Sequence, residues 1–207
     1  GDWSSDVCSS DLRNDIVSIK LLEEEGVVEI ETKNKSIIAK KMLGKRTMTT
    51  GCGKGTTFYN VVDSFNSKQI HSTMRVQSED LIEIINKFNK SSDLFLSTGG
   101  VHSASLSDGK ELLLFHEDVG RHNAIDKIIG EAFIKDIYLL DKLIITSGRI
   151  SSEMLIKAAK REIPMIVSRS APTDLAINLG KQLGITIVGF ARGKRMNIYS
   201  HDQRIVF

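Results

Sequence analysis

Apolar and polar residues alternate over residues 16–21 and again over 27–31, with Glu23-Glu24-Glu25-Gly26 between them. A period of two on both sides of a polar, glycine-ended stretch predicts a short antiparallel pair of strands. Residues 36–40 offer a third strand. Residues 47–57 follow neither period, and Gly51, Gly53 and Gly55 mark them as an open loop that permits close approach. From Ser78 the period changes. Ser78 can cap a helix over residues 79–89 whose Leu81, Ile82, Ile85 and Phe88 share a face, and Thr98-Gly99-Gly100 breaks the pattern. Two short strands, 103–107 and 111–115, are joined by Asp108-Gly109, a good hairpin turn. Residues 121–133 read as an amphipathic helix with Ile125, Ile128, Ile129, Ala132 and Phe133 inward.

Beyond that helix, strands and helices alternate. Residues 143–146 form a buried strand, and Ser151 or Ser152 starts a helix with Leu155, Ala158 and Ala159 inward, ending before Pro164. A strand over 165–168 follows. Pro172-Thr173 opens a helix with Leu175, Leu179 and Leu183 at a spacing of four, closed by Gly184. Strands over 185–190 and 196–199 complete the series. This order implies an α/β fold with a largely parallel sheet covered by helices on both faces, preceded by a small β-rich portion. The expected organisation is an N-terminal β-rich part over 13–77 and an α/β domain over 78–207.

The opening twelve residues, GDWSSDVCSSDL, hold the only tryptophan and follow no period. They resemble translated sequencing-adapter read-through, are expected to be non-native, and are set aside from fold reasoning. A chain of 207 residues with 41% hydrophobic residues can bury a real core. A net charge of +2 argues against a general nucleic-acid binder, and no apolar run approaches the roughly 20 residues of a membrane span. Two cysteines, Cys8 and Cys52, cannot make a disulfide framework, which points to a reducing cytoplasm.

In open α/β sheets, ligands sit beyond the carboxyl ends of the strands. Those ends read Thr146-Ser147-Gly148-Arg149, Ser168-Arg169-Ser170 and Ala191-Arg192-Gly193-Lys194-Arg195. Each sets arginine, whose fork matches phosphate, among small residues that leave backbone N–H groups accessible. Helix N-termini just after the first two add a favourable dipole. Three such ends together suggest one shared anion site. Glu117-Asp118-Val119-Gly120-Arg121-His122-Asn123-Ala124 joins a strand to a helix. Its acids, base, imidazole and amide can orient a ligand or move protons, or can equally cap a helix and pair charges. His102 follows another polar turn and can scaffold by hydrogen bonding or serve the site.

Cys52 lies among glycines beside Lys54, and a neighbouring ammonium raises the thiolate fraction of a thiol. The loop is no Walker A sequence, since Lys54 is followed by Gly55. No C-x-x-C pair is present for structural zinc, and His116-Glu117 does not fit the H-x-E of zinc deaminases.

These motifs carry a resemblance. STGGVHSASL (97–106), EDVGRHNAIDKIIG (117–130), TSGRISSEM (146–154) and SRSAPTDLAINLGKQLGITIVGFARGKRMNIYSH (168–201) resemble the formate dehydrogenase accessory sulfurtransferases, the FdhD family. The resemblance covers everything from Arg13 on. It implies a cytidine-deaminase-like fold without the zinc chemistry, and a homodimer. It further implies a cysteine that takes persulfide sulfur from a cysteine desulfurase. That sulfur passes to the molybdenum cofactor carrying two molybdopterin guanine dinucleotides, for apo formate dehydrogenase. By position, Phe190, Ala191, Arg192, Gly193, Lys194 and Arg195 match the family's cofactor-binding segment, with Arg149, Arg169, Arg121, His122, Asn123 and His102 around it. Cys52 is the expected persulfide carrier, assisted by Lys54. One departure matters: many members carry C-x-x-C in the glycine-rich loop, where this chain has Thr49-Thr50-Gly51-Cys52. A two-thiol relay within one such loop is therefore excluded, which keeps open a cofactor chaperone without sulfur-transfer chemistry.

Overall fold

The computed structural model describes residues 16–22, 27–33 and 69–207. Strands β1 (Ile16–Leu22) and β2 (Val27–Thr32) pair antiparallel as their alternation requires. The strand expected over 36–40 lies outside the described residues.

The main sheet has six strands in the order β5-β4-β6-β7-β8-β9. They are β4 (His102–Ser107), β5 (Leu112–Asp118), β6 (Leu143–Thr146), β7 (Met165–Ser168), β8 (Thr186–Arg192) and β9 (Arg195–Ser200). Only β6-β7 and β7-β8 pair parallel; β4-β5, β4-β6 and β8-β9 are antiparallel. The sheet is thus mixed rather than largely parallel. Two hairpins impose this, because the turns after Ser107 and Arg192 are far too short for the crossover that parallel pairing needs. A further two-residue strand, β3 (Val76–Gln77), pairs parallel with the C-terminal β10 (Ile205–Val206).

Helices cover both faces. On one lies α1 (Ser78–Lys90), whose Leu81, Ile84, Ile85 and Phe88 pack with Leu143, Ile145, Met165, Val167 and Val188. On the other lie α3 (Arg121–Ile134), α4 (Ser152–Lys160) and α5 (Asp174–Leu183), packed on Ala104, Leu106, Ile144, Ile166 and Ile187. Successive strand residues alternate between these two cores, as the period of two demands. A short helix, α2 (Asp93–Thr98), follows α1 and ends at Gly99, which takes a left-handed φ of 65°.

Four details differ from the sequence reading. Ile82 is only half-buried, and Ile84 takes its place on the inward face of α1. Ser78 is the first residue of α1 rather than its cap; Gln77 holds that position, and the Ser78 hydroxyl donates to Glu79. Phe133 is only half-buried and carries the Arg161 guanidinium over its ring. Leu175 is 56% exposed, and α5 instead turns Ala176, Gly180 and Leu183 inward. Small residues are needed there because a Cβ on Gly180 would stand 2.5 Å from Ile187 Cδ1. Elsewhere, Ser151 and Thr173 cap α4 and α5 by accepting from the N–H groups of Met154 and Ala176. Asp126, buried on α3, pairs with Lys157 of α4.

Gly184 closes α5 at φ 74°, and a Cβ there would lie 2.7 Å from the Ile70 carbonyl oxygen. That oxygen is backbone, and Ile70 N–H is itself bound to Leu183 O at 2.8 Å, so it cannot retreat. Gly184→Ala therefore combines left-handed strain with a fixed clash and is expected to cost roughly 2–4 kcal/mol, read from the urea midpoint.

Candidate functional site

The pairing registers bring the polar turns to one edge of the sheet. His102 stands opposite Asp118, Ala104 opposite Thr146, and Thr146 opposite Ser168. The start of β4 and the carboxyl ends of β5, β6, β7 and β8 therefore meet.

Hydroxyls at the strand ends shape that edge. Thr146 Oγ1 accepts from Gly148 N–H at 3.2 Å, and the Ser168 hydroxyl donates to Gly148 O at 2.6 Å and accepts from Ser170 N–H at 2.9 Å. The loops are stitched to one another as well: Arg169 N–H donates to Thr146 O, and Phe190 N–H to Ser170 O. Between them opens a cleft of about 320 Å³. Phe95, Gly99, Gly100, Val101 and His102 form one wall; Ser147, Arg169, Ser170 and Arg192 form the other. Among the described residues no acidic side chain lines it. Arg192 Nε donates to Arg169 O at 3.0 Å, which holds the two guanidinium-bearing loops together. The arrangement is that of an anion site: two arginines, a serine hydroxyl and a diglycine without side chains in the way.

His102 sits where Ser147 can fix it. Ser147 Oγ accepts from Ser103 N–H at 2.9 Å and lies 3.4 Å from His102 Nδ1. Burial, and then the nearby Arg121, lower the pKa of His102 below its ordinary 6.5, so the ring is neutral at neutral pH.

A model of the FdhD/NarQ family matches residues 8–206. The chain belongs to the FdhD/NarQ family. Two proteins named sulfur carrier protein FdhD illustrate the likeness. That of Bacillus pumilus is 39% identical over 96% of this chain and 82% of its own length. That of Listeria innocua is 43% identical over 92% of this chain and 74% of its own. Among solved structures, a provisionally named formate dehydrogenase accessory protein from Desulfotalea psychrophila superposes with a TM-score of 0.72 at 25% identity. That match covers 93% of this chain and 71% of the other.

In this FdhD/NarQ chain the residues singled out from sequence divide. His102, Arg169 and Arg192 line the cleft. Phe190 is 44% exposed on a backbone of φ 52°, a strained conformation for an aromatic residue, beside the bulge between Gly189 and Arg192. Ala191 is fully buried in the core against α1 and is not part of the cleft lining. Gly193 and Lys194 make the two-residue turn between Arg192 and Arg195, with Gly193 at φ 58°. Asn86 of α1 braces that turn by donating to Gly193 O at 3.3 Å. Lys194, Arg195 and Arg149 are exposed and are not part of the cleft lining.

The turn before α3 is mostly architectural. Asp118 accepts from Gly120 N–H and the Asn123 amide and pairs with Lys127 at 2.7 Å. Burial alone would raise its pKa, but Lys127 and these donors leave it below the ordinary value. His122 Nε2 lies 3.1 Å from Ser151 Oγ and 3.3 Å from Glu153. Arg121 rests its stem on Gly148, where a Cβ would come within 2.9 Å. Glu117 points inward and accepts from the Ser92 and Ser103 hydroxyls. Ser92 in turn accepts from Phe95 N–H, so Glu117 anchors the start of α2, and with it the wall carrying Phe95. Sequence reading does not single out Phe95; Ser92-Asp93 before it and Gly99 after it are the capping signals that bracket its helix. Cys52 and Lys54 lie outside the described residues.

The folded chain keeps His102 unprotonated at pH values where the unfolded chain already takes up a proton. Stability should therefore fall as pH drops from about 6.5 toward the lowered folded value, and level off below it. His102→Gln should flatten that part of the curve, measured by urea denaturation from neutral to mildly acidic pH.

Proposed function

We propose that this chain is a sulfurtransferase of the formate dehydrogenase system. It takes persulfide sulfur from a cysteine desulfurase onto Cys52 and passes it to the molybdenum cofactor carrying two molybdopterin guanine dinucleotides. The observation that carries the reading is the convergence of Arg169 and Arg192 on one cleft at the sheet edge. Membership of a family whose curated relatives are named sulfur carriers supports it. So does the crystal structure of the provisionally named formate dehydrogenase accessory protein. The proposed frame is cytidine-deaminase-like, and the proposed assembly is a cytoplasmic homodimer.

At about 320 Å³ the cleft is at the small end of ligand pockets, which run roughly 300–1,000 Å³, so it suits one nucleotide end of this large substrate. In this reading Arg169 and Arg192 hold phosphate by charge-assisted hydrogen bonds, and neutral His102 beside Ser147 offers a hydrogen bond rather than a charge. Phe190 offers its exposed ring to the flat base. Arg149, Lys194 and Arg195 add positive field from outside the cleft, and Arg121, His122 and Asn123 hold the neighbouring turn.

The loading of Cys52 balances without a redox partner. The Cys52 thiolate attacks the outer sulfur of the donor's persulfide; a new S–S bond forms as the donor's S–S bond breaks, and the donor leaves as a thiolate. Lys54 stabilises the attacking anion. A cofactor chaperone without this chemistry is the second reading. It rests on the cleft that Arg169 and Arg192 line, together with the single cysteine in the glycine-rich loop where many relatives are expected to carry two.

Incubation with a cysteine desulfurase and cysteine should add one sulfur atom to the intact mass, reversibly with reductant, and Cys52→Ala should abolish the gain. An unmodified chain that still binds guanine nucleotide would replace the transferase reading with the chaperone. Arg169→Ala and Arg192→Ala should each weaken guanosine diphosphate binding about tenfold by calorimetry, the loss of one charge-assisted contact. Unchanged affinity in both variants would remove the cleft as the site.

A further inference from the structure

The sheet has a second polar end. Thr186 opens β8 and Arg192 closes it, so the two ends stand about 20 Å apart at roughly 3.3 Å per residue. At the Thr186 end lies a cavity of about 250 Å³ lined by Ser72, Thr73, Met74, Arg75, Gln203 and Arg204. Arg204 is only 5% exposed. Its Nη1 donates to Thr186 Oγ1 at 3.1 Å, while its Nε is sealed from water with no hydrogen-bond partner among the described residues. Burial lowers its pKa, and no carboxylate among the described residues counters the effect.

Buried charges in proteins are ordinarily paired. Asp126 follows that rule by meeting Lys157; among the described residues Arg204 has no such countercharge. A second guanidinium stands at the same mouth. Arg75 is exposed, and its Nη1 donates to Gln203 O at 3.2 Å, which fixes it beside the turn that carries Arg204. The Ser72 hydroxyl is already committed, donating to Leu140 O and accepting from Met74 N–H. Among the described residues the cavity thus offers two cations and no anion.

We propose that this cavity is a second ligand site, separate from the cleft, which takes a small oxyanion (a carboxylate or a phosphate) on Arg204 with Arg75 at its rim. Arg204 spends Nη1 on Thr186 and faces no carboxylate among the described residues, so an oxyanion in the cavity that it lines meets a guanidinium without a countercharge. Bound there, the anion supplies the missing countercharge. It also ties residues 72–75 to residues 203–204, beside the point where β3 and β10 pair.

The test uses the full chain carrying Arg169→Ala and Arg192→Ala, so that the cleft's own anion affinity does not contribute. Tm is followed against sodium phosphate and, separately, sodium succinate, at constant ionic strength balanced with chloride. A saturable rise with at least one of them is expected, and the effective anion tells phosphate from carboxylate. On that background Arg75→Ala should weaken the half-saturating concentration about tenfold. Arg204→Met should abolish the response and raise the anion-free Tm, because an apolar side chain of similar length replaces an uncompensated charge. No saturable rise with either anion, or a rise that survives Arg204→Met, overturns the proposal. If Arg204→Met does not fold, a response untouched by Arg75→Ala overturns it as well.

Discussion

The central strands β6 and β7 are buried on both faces, and this single constraint governs the rest of the fold. A strand with no solvent side must be apolar throughout, as Leu143 to Ile145 and Met165 to Val167 are. Polar groups can then appear only where the strands stop. Thr146 and Ser168 are the first such groups, and each spends its hydroxyl on the backbone of the loop that follows. The candidate site inherits its shape from that arrangement. Its loops are short, mutually hydrogen-bonded and fixed to a sheet that cannot shift without exposing two cores at once.

Electrostatic character follows from the same layout. Acidic side chains near the edge are drawn away from the cleft: Glu117 inward to Ser92 and Ser103, Asp118 to Lys127, Glu153 to His122. Arg169 is held by its backbone N–H on Thr146 O and Arg192 by its Nε on Arg169 O, and both line the cleft. Separation of charge by architecture gives the cleft a local positive character in a chain whose net charge is only +2.

Sequence made the buried strands legible to the residue, because short apolar runs bounded by Thr or Ser and a turn leave little freedom in placing their ends. It also placed the arginine-bearing strand ends, since the carboxyl-edge rule needs only strand order. Other features left weaker traces. Helix α2 is six residues long, too short to show a period. The inward face of α5 rests on Ala176 and Gly180, which carry almost no hydropathy signal, whereas Leu175 does and yet faces out. The antiparallel pairing of β8 with β9 follows from the two-residue turn at Gly193-Lys194, which strands read as 185–190 and 196–199 leave hidden in a five-residue gap. The distance between polar turns in the chain also hid the division of labour around Glu117 to Asn123, since hydrogen-bond partners such as Ser92 and Ser151 come from other elements.

Gly148 has no chemistry of its own, yet a methyl group there would collide with Arg121 on two sides. The same holds for Gly189, whose added carbon would meet Pro172, Tyr199 and the Ser170 carbonyl. These two positions seat the loops that present the cations. Substitution at the visible arginines removes a contact, whereas substitution at either glycine displaces the frame that aims them. Mutational tolerance along this edge is therefore expected to be lowest at residues that no search for reactive side chains would select.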